Sequence, residues 1–127
     1  RGDVPRDSIL WQYDQTTPDT PCPALCDDLL FIINDGGIAT CLDARTGTRF
    51  WRERIGGNHR ASPLAAEGRI YFLSMSGKCT VIEASKELKK LAENEVDDTT
   101  IASLAVSDGR LYLRGHEALY CLAKAEE

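Results

Sequence analysis

Aromatic, apolar and turn-forming residues recur about every 40 positions along the chain, and that period limits its fold more than any other feature. Trp11 and Trp51 are 40 apart, and Leu91 stands 40 beyond Trp51. Leu42, Ile82 and Leu122 keep the same spacing, preceded in turn by Cys41, Val81 and Cys121. Phe31 and Tyr71 are again 40 apart, and Tyr112 follows at 41. Acid-then-turn pairs (Asp27-Asp28, Glu67-Gly68, Asp108-Gly109) precede these aromatics, and Gly37 and Gly77 complete the pattern. At 127 residues the chain holds about three units, where length alone would suggest one domain with a modest core.

Each unit reads as short strands. The first offers strands at 23–26, 29–33, 38–43 and 49–55, and the middle one at 62–66, 69–73, 79–83 and 88 to about 95. The third supplies 101–106, 110–113 and 118–122. Asn34-Asp35-Gly36-Gly37 is a strong hairpin signal, because glycine accepts the positive φ of tight turns. The second strands, Leu29-Leu30-Phe31-Ile32-Ile33 and Ile70-Tyr71-Phe72-Leu73, are apolar without alternation, as in strands covered on both faces. Four-stranded sheets of about 40 residues sandwiched between neighbours are the blades of a β-propeller. The expectation is therefore an all-β fold, a partial propeller of about three antiparallel blades, with repeats near 19–56, 59–96 and 99–124. Residues 7–13 align with Phe50-Trp51-Arg52 and read as the outer strand of a preceding or swapped blade. Residues 86–93 carry strong helix formers, with Leu88, Leu91 and Ala92 at helical spacing. The repeat phase instead makes them an outer strand with a solvated face, and context overrides propensity there.

Fifteen basic and twenty acidic residues give a net charge of −5 and no face-sized basic cluster, which argues against nucleic-acid binding. No apolar run approaches the roughly 18–20 residues of a membrane span, and Arg1-Gly2-Asp3-Val4-Pro5 lacks the hydrophobic core of a signal peptide. The cysteines are Cys22, Cys26, Cys41, Cys79 and Cys121, an odd set with no CxxC or Cys/His metal spacing. They read as buried reduced thiols, with one long-range disulfide as the rival reading. No phosphate loop, Ser-His-Asp arrangement or paired-carboxylate motif stands out, so no catalytic, cofactor or metal residue is assigned.

The most specific stretch is Cys41-Leu42-Asp43-Ala44-Arg45-Thr46-Gly47-Thr48-Arg49-Phe50-Trp51. Asp43 closes a strand, and its carboxylate can accept backbone N–H groups across the turn. Gly47 suits the left-handed conformation of a short hairpin loop, and Trp51 opens the next strand as a broad apolar plate between blades. The segment resembles the tryptophan-docking motif of quinoprotein alcohol-dehydrogenase-like propellers (the PQQ-like repeat), Ala-x-Asp-x-x-Thr-Gly-x-x-x-Trp. Asp43, Thr46, Gly47 and Trp51 fall on its positions, with Cys41 in place of the alanine. Residues 61–72 and 111–122 are also similar to that family, including bacterial outer-membrane-assembly-type propellers. The second unit departs from the motif, with Glu83-Ala84-Ser85-Lys86-Glu87 and Leu91 at the Asp, Thr-Gly and Trp positions.

The resemblance implies a periplasmic or cell-surface protein and a segment of a larger ring, carboxy-terminal in position. Family enzymes that use the quinone need a cation, a catalytic aspartate and commonly adjacent cysteines, and this sequence has no adjacent cysteine pair. The expected function is a non-enzymatic scaffold for protein partners. The alternative is part of a quinone-dependent or sugar-binding enzyme whose catalytic residues lie on other blades. Binding sites in such propellers form where loops join the fourth strand to the next blade and the second strand to the third. Those loops contain Asp35, His59, Arg60 and His116 here, with Asp97 and Asp98. His59 and Arg60 beside Gly56-Gly57 suit an anion, against the plain reading of solvated side chains. Self-association is also expected, the Trp11 strand of one copy completing the last blade of another. Two copies then give six blades, within the common range of about four to eight.

Overall fold

The computed structural model describes residues 8–18, 21–100, 104–107 and 110–123. Among them lie eleven strands in three antiparallel sheets and no α-helix. Blade 1 comprises β1 (Ala24–Cys26), β2 (Leu29–Ile33), β3 (Ile38–Asp43) and β4 (Arg49–Arg54) in sequential order. Blade 2 comprises β5 (Leu64–Ala66), β6 (Arg69–Leu73), β7 (Lys78–Glu83) and β8 (Lys90–Glu95). Blade 3 has β9 (Ala105–Ser107), β10 (Arg110–Arg114) and β11 (Leu119–Ala123). Of the expected third-unit first strand, residues 101–103 lie outside the described residues. Residues 8–13 form no strand within the chain.

The unbroken apolar second strands are explained by two-sided packing. Phe31, Ile33, Ala39, Cys41 and Trp51 of blade 1 form one core with Ile70, Phe72 and Ile82 of blade 2. The alternate residues of blade 2, Tyr71, Leu73, Cys79 and Val81, form a second core with Leu104, Leu111 and Leu113 of blade 3. Blade 2 is thus filled from both sides, and truncating Phe72 would cost about 3–5 kcal/mol. In β10 only Leu111 and Leu113 are buried, while Arg110 and Arg114 point to the side that no described sheet covers.

Residues 86–93 resolve in favour of the repeat phase over helix propensity, although β8 begins at Lys90 and residues 86–89 belong to the turn before it. Lys86 is therefore not on a solvated strand face. Its ammonium sits 5.2 Å from the centroid of the Phe50 ring on blade 1. Pairing also corrects the 40-residue match of Trp51 with Leu91. Trp51 lies opposite Cys41 and Ala92 opposite Val81, so Ala92 is the counterpart of Trp51. The β7–β8 turn is one residue longer than the β3–β4 turn, which moves the match to 41. Leu91 corresponds instead to Phe50, the residue passed over at the register shift in each blade.

The thiols divide by position. Cys41 and Cys79 are buried between blades, and burial pushes both up to about 12. Cys22 and Cys121 are exposed and Cys26 is half-buried, which corrects the expectation that all are core residues. Cys22 precedes β1, and Cys121 stands on the free face of blade 3. All five are free thiols.

Candidate functional site

The loops that carry the candidate residues are joined by main-chain hydrogen bonds into one continuous rim. The His59 N–H donates to the Asp35 carbonyl at 2.9 Å, tying the blade 1–blade 2 connection to the β2–β3 hairpin. Met75 N–H donates to Asn58 O at 2.7 Å, and Thr100 N–H to Met75 O at 2.9 Å. His116 N–H closes the row on Thr99 O at 2.8 Å. Each inter-blade connection is thereby held between the hairpin before it and the hairpin after it. Close backbone approach sets two glycines in these hairpins. A Cβ on Gly37 (φ 92) would lie 2.5 Å from the Gly57 carbonyl oxygen, and one on Gly77 (φ 91) would overlap Val96 O.

The rim places Asp35 and His59 side by side through their backbones and His116 beside the next connection. Arg60 and His116 are exposed. His59 is 2% exposed, and its Nδ1 has no hydrogen-bond partner. Desolvation lowers its pKa, and a backbone hydrogen bond with Gly57 opposes this only in part. The ring is therefore buried and neutral, which corrects the solvated reading. It occupies the position of Thr100 one blade on, where the threonine hydroxyl donates to the Ser74 carbonyl.

Asp98, in the blade 2–blade 3 connection, carries the densest polar contacts of the rim. Its Oδ1 accepts Thr99 N–H at 2.7 Å and His116 N–H at 3.1 Å; its Oδ2 accepts Glu117 N–H and the Tyr120 hydroxyl, both at 2.9 Å. Desolvation alone would raise the Asp98 pKa, but the four hydrogen bonds outweigh it and hold the carboxyl below its usual value. The sequence signal for this role was Gly115. The equivalent hairpin positions are Asn34, whose Oδ1 accepts Ile38 N–H at 2.9 Å, and Ser74, whose Oγ accepts Lys78 N–H at 3.2 Å. Gly115 has no side chain to do this, and a Cβ there would overlap Asp98 Oδ2. The neighbouring connection supplies the missing acceptor.

On the outer side, Asp43 Oδ1 accepts Arg45 N–H at 2.8 Å, Thr46 Oγ1 donates to Thr48 Oγ1 at 2.9 Å, and Gly47 has φ 79. The ring that fills this turn belongs to Trp11, which sequence spacing had not linked to it. A Cβ on Gly47 would lie 2.5 Å from Trp11 Cε3, and Trp11 Nε1 donates to Ala44 O at 3.0 Å. Trp51 repeats the relation one blade on, donating from Nε1 to Ser85 O at 3.3 Å. Each tryptophan therefore touches the third-to-fourth-strand turn of the following blade.

A family model described as outer membrane protein assembly factor BamB matches residues 3–111. The chain belongs to this PQQ-like propeller family. A polyvinylalcohol dehydrogenase of Sphingopyxis sp. (strain 113P3) is 27% identical over 123 residues, covering 88% of this chain and 19% of that protein. The crystal structure of BamB from Moraxella catarrhalis superposes with a TM-score of 0.63 at 13% identity, over 78% of this chain and 29% of that one. The quinohemoprotein alcohol dehydrogenase ADHIIG from Pseudomonas putida HK5 gives 0.66 at 16% identity, over 90% and 20%. The chain thus spans about a fifth of the length of its curated relative, and the structural likenesses establish the fold. No described helix is long and apolar enough to cross a membrane.

Among the described residues no three His, Cys, Asp or Glu side chains converge as a cation site. The one well-placed rim carboxylate, Asp98, already has its oxygens committed to four donors.

Proposed function

We propose that the chain is a non-enzymatic propeller segment that recruits protein partners, a second copy among them, at the periplasmic side or cell surface. One observation carries the reading. The rim is fastened by main-chain bonds at every inter-blade connection, leaving Arg60, Asp97, His116 and Glu117 exposed on a rigid base. Such a surface presents charged side chains without the cost of ordering loops on binding. The family description as an outer membrane protein assembly factor supports both the partner class and the location. A photo-crosslinking side chain at Arg60 or His116 tests it, with Glu53 on the outer strand as control. Reproducible protein adducts from the rim positions and none from Glu53 are expected. Equal labelling at all three sites, or none, would refute a rim-centred scaffold.

The relationship to polyvinylalcohol dehydrogenase supports a second reading, in which the segment belongs to a quinone- or sugar-binding enzyme with its catalytic residues on other blades. Titrating the longer parent protein with pyrroloquinoline quinone and calcium separates the two. A saturable spectral change favours the enzyme, and its absence the scaffold.

A further inference from the structure

The blade 1–blade 2 and blade 2–blade 3 connections are built alike but finished differently. His59 N–H donates to Asp35 O as Thr100 N–H donates to Met75 O, and Met75 N–H donates to Asn58 O as His116 N–H donates to Thr99 O. Gly57 therefore corresponds to Asp98, Asn58 to Thr99, and the hairpin residues Ser74 and Ser76 to Gly115 and Glu117. At the second connection three main-chain N–H groups, those of Thr99, His116 and Glu117, converge on the Asp98 carboxylate. The rim thus contains one cradle for a carboxylate, filled by the chain itself.

At the first connection the cradle persists and the carboxylate is missing. The Gly57 carbonyl is turned towards Gly37, where a Cβ would meet its oxygen at 2.5 Å, as the Asp98 carbonyl is turned towards Gly77, at 2.8 Å. Asn58 N–H, trans to that carbonyl across a planar peptide, therefore points as Thr99 N–H does. Among the described residues it meets no acceptor, and neither do the N–H groups of Gly57 and Ser76. Asp98 N–H, by contrast, is spent on Val96 O at 3.0 Å. Gly57, Asn58 and Ser76 are all exposed, and a Cβ on Gly56 would meet nothing within 4 Å, so the approach is open.

The side chains around these groups are donors without a matching acid. Ser74 and Ser76 share a single hydrogen bond between their hydroxyls at 3.0 Å, which leaves one of the two protons free to donate. Ser74 Cβ lies 3.1 Å from where a Cβ on Gly57 would stand, so the serine fills the depth of the cradle and an incoming anion rests above it. His59 Nδ1, buried and unpartnered, is bonded to Cε1, which lies 3.7 Å from the same point. From residue 55 to 66 the chain carries no acid, and the exposed Arg60 adds a positive charge. The second connection instead carries Glu95, Asp97 and Asp98. Charge therefore favours an anion at the first connection and opposes one at the second.

We propose that the Gly57–Asn58 connection, with Ser76 and Arg60, binds the carboxylate of an aspartate or glutamate side chain presented by a partner protein. This rests on the rim reading and names the chemistry that the partner brings to it. The carboxylate takes the N–H groups of Asn58 and Ser76 as Asp98 takes those of Thr99 and Glu117, and Arg60 offsets its charge.

Poly-L-glutamate is the probe, titrated into the purified protein and followed by amide NMR shifts. The Gly57, Asn58 and Ser76 signals should move saturably while those of Thr99, His116 and Glu117 stay in place. Arg60→Glu should weaken the binding by about tenfold. Gly57→Asp combined with Ser74→Gly copies the second connection, supplies the carboxylate from within the chain and should abolish the response, with circular dichroism reporting that the sheets are intact. Saturable shifts with inorganic phosphate but none with poly-L-glutamate would overturn the carboxylate assignment. Shifts spread equally over both connections, or an affinity indifferent to Arg60→Glu, would overturn it as well. Protein adducts from the photo-crosslinking positions decide the rim-centred scaffold separately, so the two readings fail by different results.

Discussion

Alanine at position 47 would test whether the 43–47 turn and Trp11 form one device. Gly47 has φ 79, a conformation that costs an L-residue about 1–2 kcal/mol. The added methyl would also lie 2.5 Å from Trp11 Cε3 and 2.7 Å from Cδ2, so the indole must leave its seat. Losing the Trp11–Ala44 hydrogen bond forfeits about 1 kcal/mol, and part of the ring's burial goes with it. Gly47→Ala should therefore destabilise the chain by about 2–4 kcal/mol, read by urea unfolding with circular dichroism and tryptophan fluorescence. In a Trp11→Ala background the clash and the lost bond are already absent, so only the backbone cost of about 1–2 kcal/mol remains. Equal costs in the two backgrounds would show that the indole does not rest on Gly47, and the account of the joint would fail.

Three further outcomes follow from the rim and the core. His59 is buried with a lowered pKa, so the unfolded chain binds its proton first; stability is full above about 6.5 and falls as the pH drops below that value. Urea midpoints between pH 7.5 and 5 should show this slope, and His59→Gln should flatten it; an unchanged slope would place the titrating group elsewhere. With Ellman's reagent at pH 8, Cys22 and Cys121 should react at once and Cys41 and Cys79 only on unfolding, so prompt reaction of Cys79 would contradict the blade 2–blade 3 core. Asp98→Ala should destabilise blade 3, and Gly115→Asn should be tolerated better in that variant than in the parent chain, because the new amide fills the vacated acceptor position. If Gly115→Asn is equally harmful in both, the two sites are not exchanging one role.

How much of this was legible beforehand follows from which interactions are local. Strand positions and the blade count emerged from the sequence because the period repeats the same inward residues, Phe31 with Tyr71 and Cys41 with Val81. The matching of Trp51 to Leu91 failed because one extra residue in the β7–β8 turn shifts β8 against β7, and a fixed spacing does not register a local insertion. His59 misled for a different reason. A histidine beside two glycines in a polar loop looks solvated, and only the packing of the folded chain buries its ring. The seat of Trp11 on Gly47 was hidden inside a motif that already contained a tryptophan. Trp51 follows the 43–47 turn in sequence and stacks on the next blade, whereas Trp11, 36 residues before Gly47, fills the turn itself. In a repeat the contact that joins two units belongs to the period rather than to the motif, so a motif read within one unit leaves out the tryptophan that fills its turn. The same shift by one period explains why Asp98 compensates Gly115: each blade is finished by residues carried on the connection from the blade before it.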